Sequence, residues 1–272
     1  WSWSRGLGDV YKRQDMLRSE RLKNIELLIL DRPNAGNSIS SELTIALLGK
    51  LERLKSDNDL HALIITGAGD KFFCTGGDIK QYQLIKDKKS LNDHFDRTRL
   101  VMDTLEELEC PVISAINGYA LGGGAELILC TDYRLAIKGA KIGWPQARLG
   151  IIPAWNGIDR LVRDCGPRVA SNLMITGKQI EADEAKVLGL IDQVIDDNNI
   201  VDAALSYAKS LEESAPLALK ATKRIIKSCS KMTTEDVRKL QYDIFPDLWF
   251  SADHKEAEKA FSEKRKPRFS GR

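Results

Sequence analysis

The sequence predicts an α/β protein with one large domain and a helical C-terminal region. Apolar strand candidates recur along the chain, and they run into glycine turns followed by helix starts. Beyond Arg160 the strand pattern gives way to amphipathic helical periods with glycine stops. A length of 272 residues suits one domain, or one domain plus an appendage.

Residues 1–15 stand apart as a leader. They show no hydrophobic period, no secretory apolar segment and no small-residue cleavage site. Ser4 to Gln14 resembles the frame translation of a sequencing-library adapter, so the native chain is expected to begin near Met16; a genomic frame coding for those residues would refute this. The core is expected over 16–200 and the helical region over 201–272.

Residues 25–30 (Ile-Glu-Leu-Leu-Ile-Leu) read as a buried strand stopped by Asp31-Arg32-Pro33. After a loop, Ser40 or Ser41 can cap a helix over 42–55, whose Leu43, Leu47, Leu48 and Leu51 share one face. A strand over 60–67 leads to residues 71–80 (Lys-Phe-Phe-Cys-Thr-Gly-Gly-Asp-Ile-Lys), where Asp78 caps a helix start or places an acid in its first turn. The stretch 79–89 is expected to be polar and mobile, and 92–107 a helix with Phe95, Leu100, Val101, Leu105 and Leu108 inward.

The centre of the chain is 117–126, Asn-Gly-Tyr-Ala-Leu-Gly-Gly-Gly-Ala-Glu, between apolar runs at 110–116 and 127–130. Three consecutive glycines cost chain entropy and need a local reason. A glycine turn opening a helix points free N–H groups and the positive end of the helix dipole at one spot, which suits a developing oxyanion. Glu126 then lies in the first turn beside that spot; the plainer alternative is a tight turn with a dipole-favoured glutamate. The earlier Gly76-Gly77 turn can offer a second backbone donor.

A strand follows at 132–136, then the run 141–157 with Trp144, Pro145, Gln146 and Trp155. Downstream, Gly166-Pro167 opens a helix over 168–176 capped by Gly177, and a second helix over 182–188 stops at Gly189. A short apolar segment spans 190–195. Helices are expected over 201–214, 217–228, from the Thr233/Thr234 cap through Leu240, and over 253–264.

Composition excludes several classes. A formal net charge of +2 leaves no electrostatic footprint for nucleic acid. No apolar run approaches the roughly 20 residues that span a bilayer. Five scattered cysteines without Cys-x-x-Cys spacing read as reduced core residues of a cytoplasmic protein. His61, His94 and His254 lack partners at ligand spacing, so no metal is expected. The Gly67-Ala-Gly69 segment lacks the third glycine of a dinucleotide fingerprint.

Together the two glycine turns, in order and spacing, resemble the signature of the crotonase (enoyl-CoA hydratase/isomerase) superfamily, and the likeness runs from about Ile25 to Phe269. The resemblance implies a β-β-α spiral core, with the C-terminal helices packing in a homotrimer or a hexamer of two trimers. It implies main-chain oxyanion donors at Gly77 and Gly123, and an acid/base at Glu126. The substrate would be an acyl coenzyme A thioester, with no permanently bound cofactor. Arg32, Ala35, Thr75, Gly76, Asp78, Ile79 and Lys264 match coenzyme A-binding positions, although Arg32 equally suits a surface ion pair and Lys264 a frayed charged terminus. Trp144, Trp155 and Tyr119 are candidates for the acyl pocket, or for core packing. Asp132 matches a structural position.

One departure matters. Where hydratases of the family carry a second glutamate, this chain has Gln146, whose amide can orient water but takes no proton at neutral pH. An oxyanion hole with one acid/base fits hydration of an enoyl thioester, the first expectation. It also fits decarboxylation of a malonyl-type thioester, or a double-bond shift. A non-catalytic RNA-binding or assembly role is the alternative of another class; an acid beside an oxyanion hole and the near-zero charge argue against it.

Overall fold

The computed structural model describes residues 16–196 and 199–272, so the leader expected at 1–15 lies outside the described residues. Two sheets carry the fold. The larger runs β1-β2-β3-β5-β7-β10, from β1 (Leu17–Leu22), β2 (Ile25–Leu30), β3 (Ala62–Gly67), β5 (Val112–Ile116), β7 (Tyr133–Ile137) and β10 (Gln193–Ile195). The smaller runs β4-β6-β8-β9, from β4 (Phe72–Cys74), β6 (Tyr119–Leu121), β8 (Lys141–Gly143) and β9 (Gln179–Glu181). Outside the β1–β2 and β8–β9 pairs, neighbouring strands are parallel. From β3 to β8 successive strands alternate between the two sheets, which is a β-β-α spiral.

Burial explains the composition of the strands. Every residue of β2, β3 and β5 is buried, as the near-continuous apolar runs of a sheet covered on both faces require. One face packs against α1 (Ser41–Lys55), α3 (Lys88–Glu107), α4 (Gly123–Ile128) and α5 (Gly157–Thr176) through residues such as Leu43, Leu51, Leu105, Leu127 and Leu161. The other face meets α7 (Ile200–Ser210) through Ile200, Ala204 and Ala208. The remaining helices are α2 (Ile79–Tyr82), α6 (Ala182–Val187), α8 (Pro216–Ser228), α9 (Thr234–Trp249) and α10 (Ala252–Ser262).

Ser40 caps α1 by accepting from the Leu43 amide, and Thr233 caps α9 by accepting from the Asp236 amide. Four expectations change. Residues 79–89 hold the short helix α2, whose N-cap is Asp78, and the start of α3, which Asp87 caps by accepting from the Ser90 amide. Leu100 is half exposed, because the buried stripe of α3 passes through Val101, Met102 and Leu105 instead. Helix α5 begins at Gly157 and kinks at Gly166 (φ 82°), so the helix expected over 168–176 is its second half. Helix α9 continues to Trp249 with Pro246 inside it.

Candidate active site

The two glycine turns abut. A Cβ placed on Gly76 would lie 2.8 Å from the Gly123 nitrogen. Gly76 has φ 97° and Gly122 has φ 56° with ψ −121°, conformations that side chains oppose, so both turns depend on glycine locally. Gly122, the N-cap of α4, donates its amide to the Gly143 carbonyl at 2.9 Å, which ties the turn to β8. Among the described residues, neither the Gly77 nor the Gly123 amide nitrogen has a hydrogen-bond acceptor.

Glu126 sits one turn into α4 and is buried. Its Oε2 accepts from the Trp155 amide at 2.8 Å and the Gly157 amide at 3.0 Å, while Oε1 accepts from Gln146 Nε2 at 3.1 Å. Desolvation pushes its pKa up to about 7, and the backbone amides of Trp155, Gly157 and Ala154 restrain the rise. A buried carboxyl that titrates near neutrality can both take and return a proton. Gly157 allows the approach: a Cβ there would fall 2.5 Å from Glu126 Cγ.

Gln146 lies on a 3-10 turn, Pro145–Leu149, and is buried. Its Nε2 is committed to Glu126, and its Oε1 has no hydrogen-bond partner among the described residues. A buried acceptor without a donor costs stability unless a ligand or water supplies one.

Trp155 walls the site: a Cβ on Gly123 would meet its ring at 2.1 Å. Trp144 is fully buried in the main core with its indole nitrogen unpartnered among the described residues. Tyr119 stands at the start of β6, edge-on to Phe72 (5.9 Å between ring centres) and beneath the Lys141 ammonium, at the end of the strand away from Gly122.

The positions matched to coenzyme A binding divide. Arg32 Nη2 pairs with Asp78 Oδ2 at 2.7 Å and Nη1 donates to the Ser38 carbonyl at 2.6 Å, so it braces the loop ahead of α1 against the Gly76-Gly77 turn. Burial raises the Asp78 carboxyl, but the Arg32 guanidinium outweighs this and holds it below its ordinary range. Thr75 fixes the same loop, its amide donating to the Gly36 carbonyl at 3.0 Å. Ala35 and Ile79 are exposed at the rim. Lys264 is exposed just past α10 and, among the described residues, has no hydrogen bond to the glycine turns.

Two residues escaped sequence reasoning. Tyr82 ends α2, one turn past the Asp78 cap, and α-helical side chains lean back toward the N-terminus; this brings its hydroxyl over Gly77. That periodicity was the available signal. The other is buried Arg160 on α5. Its guanidinium donates to the Trp155 carbonyl at 2.9 Å and the Asn156 carbonyl at 3.1 Å, and pairs with Glu106 at 2.8 Å and Asp103 at 2.6 Å. It clamps the turn whose amides hold Glu126, and Asn156 in that turn has φ 62°. Removing one partner of a buried pair leaves the others uncompensated, so Arg160→Gln is expected to cost about 3–5 kcal/mol of stability, read by urea unfolding. A loss below 1 kcal/mol, on the order of a surface pair, would show that the clamp carries little.

Among the described residues no helix is long and apolar enough to cross a membrane, and no group of three or more His, Cys, Asp or Glu side chains is placed to hold a metal ion.

Comparison with known proteins finds relatives along most of the chain. The family described as Enoyl-CoA hydratase/isomerase matches residues 20–272. An enoyl-CoA isomerase/hydratase, fer4, of Mycosarcoma maydis is 36% identical over 262 residues, covering 93% of this chain and 95% of its own. A carnitinyl-CoA dehydratase of Salmonella paratyphi A is 34% identical over 250 residues, covering 90% and 94%. The crystal structure of an enoyl-CoA hydratase from Bacillus anthracis superposes with a TM-score of 0.91 at 31% identity, covering 94% of this chain and 100% of its own. Pseudomonas aeruginosa DspI gives 0.90 at 30%, covering 94% and 97%. By sequence and by fold, the chain belongs to the enoyl-CoA hydratase/isomerase family, the crotonase superfamily.

Proposed function

We propose that the protein is a lyase that adds water to, or removes it from, the double bond of an enoyl-CoA thioester. The observation that carries this is Glu126, a buried carboxyl with a pKa of about 7, beside the unengaged amides of two abutting glycine turns. The thioester oxygen accepts from the Gly77 and Gly123 amides. The water, held by donating one O–H to Gln146 Oε1, bonds through its oxygen to the β-carbon, and the π electrons move through the α-carbon onto the thioester oxygen. The water's proton passes to the Glu126 carboxylate. Glu126 returns it to the α-carbon as the enolate collapses, so one water is added overall and the enzyme is restored.

A second reading has its own support. Among the described residues, Glu126 is the buried carboxyl in the first turn of α4, and one base can carry a proton between two carbons of a substrate, as a double-bond shift requires. The relative named isomerase/hydratase fits either reaction. Purified protein is expected to hydrate short enoyl-CoA thioesters; turnover of positional isomers alone would favour the shift, release of carbon dioxide from malonyl-type thioesters would favour decarboxylation, and no turnover of any would leave a binding role. Arg32, Thr75 and Asp78, at the Gly76-Gly77 turn, frame the proposed coenzyme A path, and Lys264 is proposed as a further contact to it from past α10. The exposed Tyr242, Phe245, Trp249 and Phe250 on and after α9 support the expected trimer contact; light scattering should then give three or six times 30.4 kDa.

A further inference from the structure

One polar group at the glycine turns has no part in the chemistry above. The Tyr82 ring packs edge-on to His94 (5.2 Å between ring centres) and tilted against Phe95 (5.1 Å), so it is fixed between α2 and α3. Gln81, its neighbour on α2, accepts from the Ser41 amide at 2.7 Å and donates to Glu42 at 2.9 Å, which docks α2 onto α1. The phenol therefore has little freedom. Its hydroxyl stands where a Gly77 Cβ would come within 1.8 Å, so glycine at 77 makes room for it.

The polarity of its contacts also matters. Trp155 stands beside the phenol, and its indole N–H, a donor only, offers the phenol's proton no acceptor. Among the described residues, no acceptor takes the phenol's own proton. Burial, which disfavours the phenolate, keeps the phenol protonated; the nearby negative charge of Glu126 acts in the same direction. A fixed hydroxyl whose proton is free, next to the amide of Gly77, is arranged to donate.

We propose that the Tyr82 hydroxyl is a third hydrogen-bond donor to the thioester oxygen, alongside the Gly77 and Gly123 amides. This rests on the thioester reading of the site. It gives that oxygen donors from three chain segments, α2, the first glycine turn and α4. Its charge grows as the enolate forms, so the contribution is larger in the transition state than in the bound substrate.

Two measurements test it. Tyr82→Phe keeps the ring and its packing and removes only the donor; kcat is expected to fall about a hundredfold with KM within a few-fold. The carbonyl stretch of a bound, isotopically labelled thioester, read by difference infrared spectroscopy, should lie at lower frequency on the wild-type protein than in water. Tyr82→Phe should recover part of that shift. Gly77→Ala, which displaces the hydroxyl and keeps the amide, should recover a similar part. An unchanged stretch in Tyr82→Phe overturns the proposal, whether or not kcat falls, and so does a kcat within twofold of wild type. A wild-type protein that binds the thioester without shifting its carbonyl overturns instead the oxyanion reading beneath it.

Discussion

Glu126→Gln is expected to lower kcat/KM for the thioester reaction by about a thousandfold while the fold survives. The substitution is close to isosteric. The new amide oxygen can accept from the Trp155 and Gly157 amides as Oε2 does now. Its NH2 would then face Gln146, whose Oε1 lacks a partner and is free to accept after an amide flip. Loss of activity without loss of the thermal transition is therefore the expected result; activity within tenfold of wild type would remove Glu126 from the chemistry.

The same carboxyl links activity and stability to pH. Hydration needs the carboxylate to receive the water's proton, so kcat/KM should rise with pH and level off above a midpoint near 7, the value to which burial pushes this group. Stability moves the opposite way. The folded pKa of about 7 exceeds the ordinary 4.5, so the stabilisation is fully present below 4.5 and is lost as pH rises through about 7. The full difference is about 3 kcal/mol, and Glu126→Gln should abolish it. Urea unfolding at pH 5 and pH 8 checks the sign: a wild-type protein more stable at pH 8 on account of this group would contradict the burial argument.

The parts of the site that the sequence disclosed are those made by local chain chemistry. Consecutive glycines before Glu126, and the Gly76-Gly77 turn before Asp78, are short-range patterns with short-range causes, and the structure places both turns together. What the sequence hid depends on approach between distant segments. Arg160 lies 34 residues beyond Glu126, and nothing in its own neighbourhood shows that it grips the 155–156 carbonyls. Tyr82 sat in a stretch whose polarity masked a single turn of helix, held in place by Arg32 and Ser41 from another segment. Helix α9 shows the converse failure. Pro246 argues locally for a stop, yet Phe245 and Trp249 pack ring against ring across it at 5.6 Å. Tertiary packing decided the first two, and local propensity is a weak guide where it does; in α9 the local i, i+4 ring pair spans the proline.

Gln146→Glu should raise hydration of crotonyl-CoA by about tenfold or more, because it supplies the second acid/base that the amide cannot be. The expectation follows from distance. A carboxyl at 146 would stand near the present 3.1 Å contact with Glu126, too close for both to ionise freely, so the two would share one proton. The pair would then titrate in two macroscopic steps, one below and one above the single value of the wild-type site. The rate profile should accordingly change from one rising limb to a bell, with one carboxylate taking the proton from water while its protonated partner delivers to the α-carbon. The upper step also predicts a cost. Its folded pKa is raised, so stability would be lost as pH rises through it, and the variant should unfold more easily than wild type at pH 9 but not at pH 5. Unchanged or slower hydration, with a single-limb profile, would mean that position 146 does not face the reacting water.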